Sequence, residues 1–233
     1  MSSAGRQSKH FVDAWVVDLD RQYSGRPQRV ITEQEQQRAA RFRSKSLALR
    51  WTNAREALRN ILASYLTVPA QSLCFDEAEK GKPFIKNLPA NSSLFFNLSH
   101  SNRRALVAVT NQQEIGADIE LVKSFVDMDQ VVSRFFCTAE KMALDKLSPS
   151  ERATGFYYLW TRKEAILKAT GKGLSLPLNR YHVSCDDNAQ LIDVNGDLDE
   201  AKRWQLSSRR LTDDYVCAIA MRGSSLEVQW IDY

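Results

Sequence analysis

The sequence predicts a mixed α+β fold built from two similar halves, and two observations carry that prediction. Short runs rich in Val, Ile and aromatic residues are interspersed with longer stretches whose apolar residues recur every three or four positions, so strands and helices share the chain. The stretch WTNAREALR (51–59) is echoed by WTRKEAILK (160–168), and each copy leads into a glycine-lysine turn, Gly81-Lys82 or Gly171-Lys172, then a short strand and an apolar one. A helix, a turn and paired strands in the same order suggest half-domains of residues 1–113 and 114–233. Chance likeness between two amphipathic helices is the alternative.

The elements follow in order. Residues 11–19 (FVDAWVVDL) read as a first strand. Thr32 and Glu35 have the spacing of a capping box, opening a charged helix that runs to about Phe42. A longer helix is expected over Leu47 to Tyr65, where Trp51, Ala54, Leu58, Ile61, Leu62 and Tyr65 form one stripe. A turn at residues 79–83 precedes strands at Leu94–Leu98 and Ala105–Thr110, with Ser99-His100-Ser101-Asn102 read as a polar loop between them. Ile115–Leu121 is a further strand. Helices are expected at residues 126–136, 140–147 and 151–170, and strands at 181–184, 215–221 and 226–231.

Composition bounds the function. Hydrophobic residues make up 43% and charged residues 26% of the 233, the balance of a soluble globular protein. The net charge of +4 suits phosphate-bearing ligands and acidic protein partners. Lys and Arg alternate with acids and form no basic run, so nucleic acid is not expected as a partner. Cys74, Cys137, Cys185 and Cys217 form no Cys-x-x-Cys pair, which excludes a zinc or redox motif and reads as scattered buried thiols in a reducing compartment. The N-terminal MSSAGRQSKH lacks the apolar core of a signal peptide, and apolar runs such as ALVAV (105–109) are too short for a bilayer. A cytoplasmic protein without membrane attachment is expected.

Three local patterns carry chemistry. In Gly116-Ala117-Asp118-Ile119-Glu120 the period of a strand puts Asp118 and Glu120 on one face, with Ile115, Ala117 and Ile119 on the other. Two neighbouring carboxylates repel unless a cation lies between them, and an all-oxygen donor set favours magnesium or calcium. An edge strand with two solvated acids has the same pattern. Glu164 and Lys168 lie four apart and share a helix face, either as a surface ion pair or as a third carboxylate and a cation for the same site, with Lys163 a further cation beside them. Ser99 and His100 offer hydroxyl, backbone and imidazole contacts to a phosphate, although an isolated histidine is more often structural.

Five ordered elements together resemble the Sfp-type (surfactin-type) 4'-phosphopantetheinyl transferases: the stretch from Arg41-Phe42 to Arg50-Trp51, Gly81-Lys82-Pro83, FNLSHS (96–101), GADIE (116–120), and RFF-x3-E (134–140) leading to WTRKEAILK. The resemblance spans roughly Arg38 to Leu178, and its most specific part is GADIE followed about forty residues later by W-x-x-K-E-A-x-x-K. It implies a monomer whose half-domains are related by a pseudo-twofold axis with the active site between them. It implies that Asp118, Glu120 and Glu164 hold Mg²⁺ with the diphosphate of coenzyme A. It also implies that Lys168 contacts that diphosphate, that Lys82 and Pro83 flank the adenine and ribose, and that Arg38, Arg50, Ser99 and His100 bind the nucleotide end with its 3'-phosphate. Family members often carry two lysines in the helix before the Arg-Phe element; this chain has Glu35 and Arg38 there.

The implied reaction moves the 4'-phosphopantetheine arm of coenzyme A onto a serine of an apo acyl or peptidyl carrier protein, releasing adenosine 3',5'-bisphosphate. Glu164 and Lys168 are its expected catalytic residues. Two other readings stand beside it. A different magnesium-dependent enzyme acting on a nucleotide diphosphate could use the same three acids. Against a non-catalytic carrier-binding scaffold, Asp118, Glu120, Glu164 and Lys168 argue because a scaffold has no need of converging carboxylates. The segment between Glu120 and Arg134 and the stretch after Gly171 are the expected places for a carrier to dock.

Overall fold

Alternation along four strands decides how the layers stack. In a computed structural model, which describes residues 10–21, 30–90, 92–172, 176–223 and 226–233, the first sheet has the order β11-β1-β5-β4 and the second β6-β10-β9. Here β1 is Val12–Asp18, β4 Phe95–Ser101, β5 Arg104–Thr110, β6 Ile115–Leu121, β9 Trp204–Arg210, β10 Tyr215–Arg222 and β11 Val228–Asp232. Ala14, Val16, Leu106 and Ala108 of the first sheet face Ile115, Ala117, Ile119, Cys217 and Ile219 of the second, and these side chains are sealed from water. The residues between them point outward, and each outer face is covered by one long helix. Helix α2 (Lys45–Leu66) buries Ala54, Leu58, Ile61 and Leu62 against Val17, Val107 and Val109. Helix α5 (Pro149–Thr170) buries Leu159, Ala165 and Ile166 against Val216, Ala218 and Ala220. The order through the molecule is helix, sheet, sheet, helix.

The connectivity runs twice. Strand β1 leads through α1 (Glu33–Ala40) to α2, a short antiparallel pair β2–β3 (Phe75–Glu77, Pro83–Ile85), and the long pair β4–β5. Strand β6 leads through α3 (Met128–Phe135) and α4 (Thr138–Asp145) to α5, a short antiparallel pair β7–β8 (Tyr181–Val183, Leu191–Val194), and, after α6 (Leu198–Lys202), the long pair β9–β10. Sheet order β1-β5-β4 therefore matches β6-β10-β9. The last strand departs from this plan: β11 lies parallel to β1, with Val12 opposite Val228 and Val16 opposite Asp232. Residue 113 falls in the turn between β5 and β6.

Several elements differ from the sequence expectation. Ser99, His100 and Ser101 are not a loop; β4 continues through them and turns at Asn102, which has φ 50°. The polar composition hid a strand whose polar face is in demand, as the site shows. Strands β2, β3 and β8 have only three or four residues, too few for a period to register. Strand β9 is a half-exposed edge and lacks the Val and Ile of a central strand. All four cysteines are free, but of the expected buried thiols only Cys217 is buried; Cys137 and Cys185 are partly buried, and Cys74 is exposed because it follows the turn after α2 at the surface. No described helix is long and apolar enough to cross a membrane. The N-terminal residues 1–9, on which the signal-peptide reading rests, lie outside the described residues.

Each long helix is braced by a buried acid from the helix before it. Glu35 closes the capping box on Thr32 and pairs with Arg55 at 3.0 Å and Arg59 at 2.8 Å. Its carboxyl is held below the ordinary range by these partners, against the opposing effect of burial. Glu140 closes the capping box at Cys137, accepts the N–H of Val183 at 2.9 Å and pairs with Lys163 at 2.8 Å, both side chains fully buried. Burial pushes the Lys163 ammonium below its usual range while Glu140 and the carbonyls of Leu178 and Tyr181 hold it charged. Truncating Glu140 strands a buried cation. Glu140→Ala should lower stability by about 3–5 kcal/mol in urea unfolding; an unchanged midpoint would contradict this bracing.

Candidate active site

The acidic face of β6 is turned toward α5, and a glycine lets the two approach. A Cβ added to Gly116 would stand 1.9 Å from the carbonyl oxygen of Ala165 and 2.4 Å from the amide nitrogen of Ala169. Only glycine allows backbone to meet backbone there. One strand period further, Asp118 projects onto the same face, followed by Glu120. From the helix, Lys168 places its ammonium 2.6 Å from Asp118 Oδ1 and 3.0 Å from Ser99 Oγ. Glu164, one turn earlier, lies within the field of both acids of β6.

The other wall comes from β4. Its odd residues face β6 because they lie opposite Arg104, Leu106 and Ala108 in the ladder with β5. Asn97 Oδ1 accepts the N–H of Ala117 at 3.0 Å, and Ser101 Oγ accepts that of Leu121 at 3.3 Å. Ser99 Oγ donates to Asp118 Oδ1 at 2.8 Å and Ser101 Oγ to Glu120 Oε2 at 2.7 Å. A serine pair at i and i+2 on one strand thus meets a carboxylate pair at i and i+2 on another.

Three carboxylates share this space. Burial raises the Glu120 carboxyl above the usual glutamate range and the charge of Asp118 raises it further, against the pull of Ser101, Lys168 and Lys123. Burial likewise raises Glu164, with Asp118 and Glu120 adding and Lys168 opposing. Burial and the nearby Glu120 also raise the Tyr157 phenol, two turns before Glu164 on the same helix. Asp118 Oδ2 is buried with no hydrogen-bond partner. Among the described residues no three His, Cys, Asp or Glu side chains stand in a closed coordinating array; the charge at Asp118 is balanced by Lys168. An orphaned carboxylate oxygen, two further acids that resist ionising and an all-oxygen donor set fit a hard divalent cation such as Mg²⁺.

Of the residues singled out in the sequence, Ser99, Asp118, Glu120, Glu164 and Lys168 are brought together. Lys82 is anchored at the start of β6 by Glu114 at 2.5 Å and the carbonyl of Ile115 at 3.0 Å, and Pro83 follows it into β3. His100 is exposed and lies on the opposite face of β4 from Ser99, the face that α2 covers. On that side Arg50 makes a two-point contact with Asp20, at 2.6 and 2.8 Å, and donates to Asn102 at 2.6 Å. Arg38 stacks over Trp51 and lines a concavity of about 570 Å³ with Gln34, Gln37, Arg41 and Phe42. Lys163 turns away from the acids to Glu140. Ser101 was not singled out as a site residue, although its period with Ser99 mirrors that of Asp118 with Glu120.

Two family models cover the chain in succession. One described as the N-terminal part of 4'-phosphopantetheinyl transferase matches residues 15–112, and one described as the 4'-phosphopantetheinyl transferase superfamily matches residues 114–220. The 4'-phosphopantetheinyl transferase HetI of Nostoc is 33% identical over 224 residues, 95% of this chain and 92% of that protein. The 4'-phosphopantetheinyl transferase Sfp of Bacillus subtilis is 32% identical over 161 residues, 69% of each.

Proposed function

Because this chain belongs to the 4'-phosphopantetheinyl transferase superfamily, we propose that the acids between β6 and α5 run a magnesium-dependent transfer of the 4'-phosphopantetheine arm from coenzyme A to a serine of an apo acyl or peptidyl carrier protein. The observation that carries this reading is the meeting of Asp118, Glu120, Glu164 and Lys168 on one face, against the serines of β4.

Asp118, Glu120 and Glu164 would hold Mg²⁺, which when bound would supply positive charge against the diphosphate of coenzyme A. The carrier serine oxygen attacks the β-phosphorus; the bond from that phosphorus to the bridging oxygen breaks, and adenosine 3',5'-bisphosphate leaves with the electron pair. The serine is a poor nucleophile until its proton is taken. Glu164 is the base, taking that proton directly or through a water, from the helix face it shares with Lys168 and turned toward Asp118 and Glu120. Lys168, which donates to both Ser99 and Asp118, offsets the charge that builds on the leaving phosphate. Lys82 and Pro83 flank the adenine and ribose, and Arg38, Arg50 and His100 serve the 3'-phosphate from the α2 side.

In this proposal the chain is a cytoplasmic monomer of half-domains 1–113 and 114–233, with the site between them and β11 returning to the first. The carrier docks on the segment after Glu120, where Lys123 is exposed and Val126 is 100% exposed; residues 173–175 of the other expected docking stretch lie outside the described residues. Intact-mass spectrometry of apo-carrier proteins incubated with this protein, coenzyme A and Mg²⁺ tests the reaction. One added phosphopantetheine arm, lost on chelation, is expected; no mass gain on any carrier would overturn it. If His100 grips the 3'-phosphate, His100→Ala should raise the KM for coenzyme A by about tenfold and that for dephospho-coenzyme A far less, the size expected for one lost contact to a charged group. Equal effects on both donors would remove His100 from that role.

A further inference from the structure

We propose that Ser101 is a positioning residue of this site, holding the Glu120 carboxylate in place against the repulsion of Asp118. The inference rests on the reading of Asp118, Glu120 and Glu164 as the holders of a divalent cation. A serine hydroxyl has one proton and two lone pairs. At Ser101 the backbone N–H of Leu121 occupies a lone pair at 3.3 Å, so the single proton is left for Glu120 Oε2 at 2.7 Å. The hydroxyl is therefore oriented by the strand that carries the acid it serves.

Glu120 needs that hold more than Asp118 does. Asp118 is nine-tenths buried and receives both Ser99 and Lys168 on one oxygen. Among the described residues Ser101 is the one hydrogen-bond donor to the Glu120 side chain, and Glu120 has one more rotatable bond. Like charge two residues away on the same face drives Glu120 outward. With Oε2 fixed by Ser101, the carboxylate is held in the field it shares with Asp118 and Glu164. Ser101 belongs to the first half of the chain and Glu120 to the second, so this bond also ties the site's geometry to the docking of one sheet edge on the other.

The test separates holding an acid from merely filling space. Ser101→Ala should raise the Mg²⁺ concentration for half-maximal transfer about tenfold, the size expected when a hydrogen bond to a charged group is lost. It should leave the KM for coenzyme A, at saturating metal, within about twofold of the parent. Mn²⁺ titrated into the coenzyme A complex and followed by electron paramagnetic resonance should show the same weakening without turnover. Ser101→Thr, which keeps the hydroxyl, should restore both values. Unchanged metal dependence in Ser101→Ala, or a loss that Thr does not restore and that tracks a lowered melting temperature in chelator, would overturn the proposal. Failure of the parent protein to modify any carrier would instead sink the reading of the site itself.

Discussion

Glu164→Gln should reduce phosphopantetheine transfer by about a thousandfold or more while leaving the protein folded, and more stable than its parent. Under the proposed mechanism the activity loss follows from removing the base, which alone contributes about 10²–10⁴-fold, and one of the three carboxylates proposed to hold the cation. The stability gain follows from the opposite side of the same chemistry. Burial, Asp118 and Glu120 together raise the Glu164 carboxyl above the ordinary glutamate range, so the folded state prefers it protonated. Between the unfolded value and the raised folded value the folded chain binds more protons, and its stability falls as pH rises through that window. Glutamine does not ionise. In chelator the variant should therefore exceed the parent above the window and match it below, and urea unfolding at both pH values measures the difference. A variant that transfers at the parental rate, or one less stable than the parent at neutral pH, would remove Glu164 from the acidic cluster.

Gly116→Ala should cost about 3 kcal/mol or more, at the upper end of overpacking effects, and should abolish transfer as a consequence. The new methyl group would stand 1.9 Å from a helix carbonyl oxygen and 2.4 Å from a helix amide, both backbone atoms that no rotamer change can move. Helix α5 must shift as a body, carrying Glu164 and Lys168 away from Asp118. Gly155→Ala is the control. Its methyl group would meet Leu147 Cδ1 at 2.4 Å, Cys185 Sγ at 3.1 Å and Leu144 Cδ2 at 3.2 Å, side-chain ends that can yield. It should cost about 1 kcal/mol, within the lower range for overpacking, and leave transfer largely intact. Urea midpoints and transfer rates of the two variants decide the matter: similar losses would mean that the contact of β6 with α5 is not what places the helical residues.

The acids of β6 were legible in the sequence because a strand's period of two is rigid. Once Ile115, Ala117 and Ile119 enter a core, Asp118 and Glu120 must leave it. The pairing of Glu164 with Lys168 was legible for the same kind of reason, from the period of a helix. Thr32 and Glu35 announced the start of α1, and the echo between residues 51–59 and 160–168 announced the two long helices that cover the sheets.

What local pattern left open was decided by packing. Ser99-His100-Ser101 reads as a loop by composition, since polar residues in a strand make sense only when another strand needs them; the facing acids supply that need. Glu35 reads from the sequence as a helix cap, Glu140 as part of a motif and Lys163 as a further cation beside the acids, yet burial turns all three into braces between helices. The sequence alone determined which side chains share a face, because that depends on neighbours along the chain. Only the tertiary structure decided which faces meet, because that depends on contacts such as Gly116 with Ala165, forty-nine residues apart, where the absence of one methyl group sets the distance between the strand of Asp118 and the helix of Lys168.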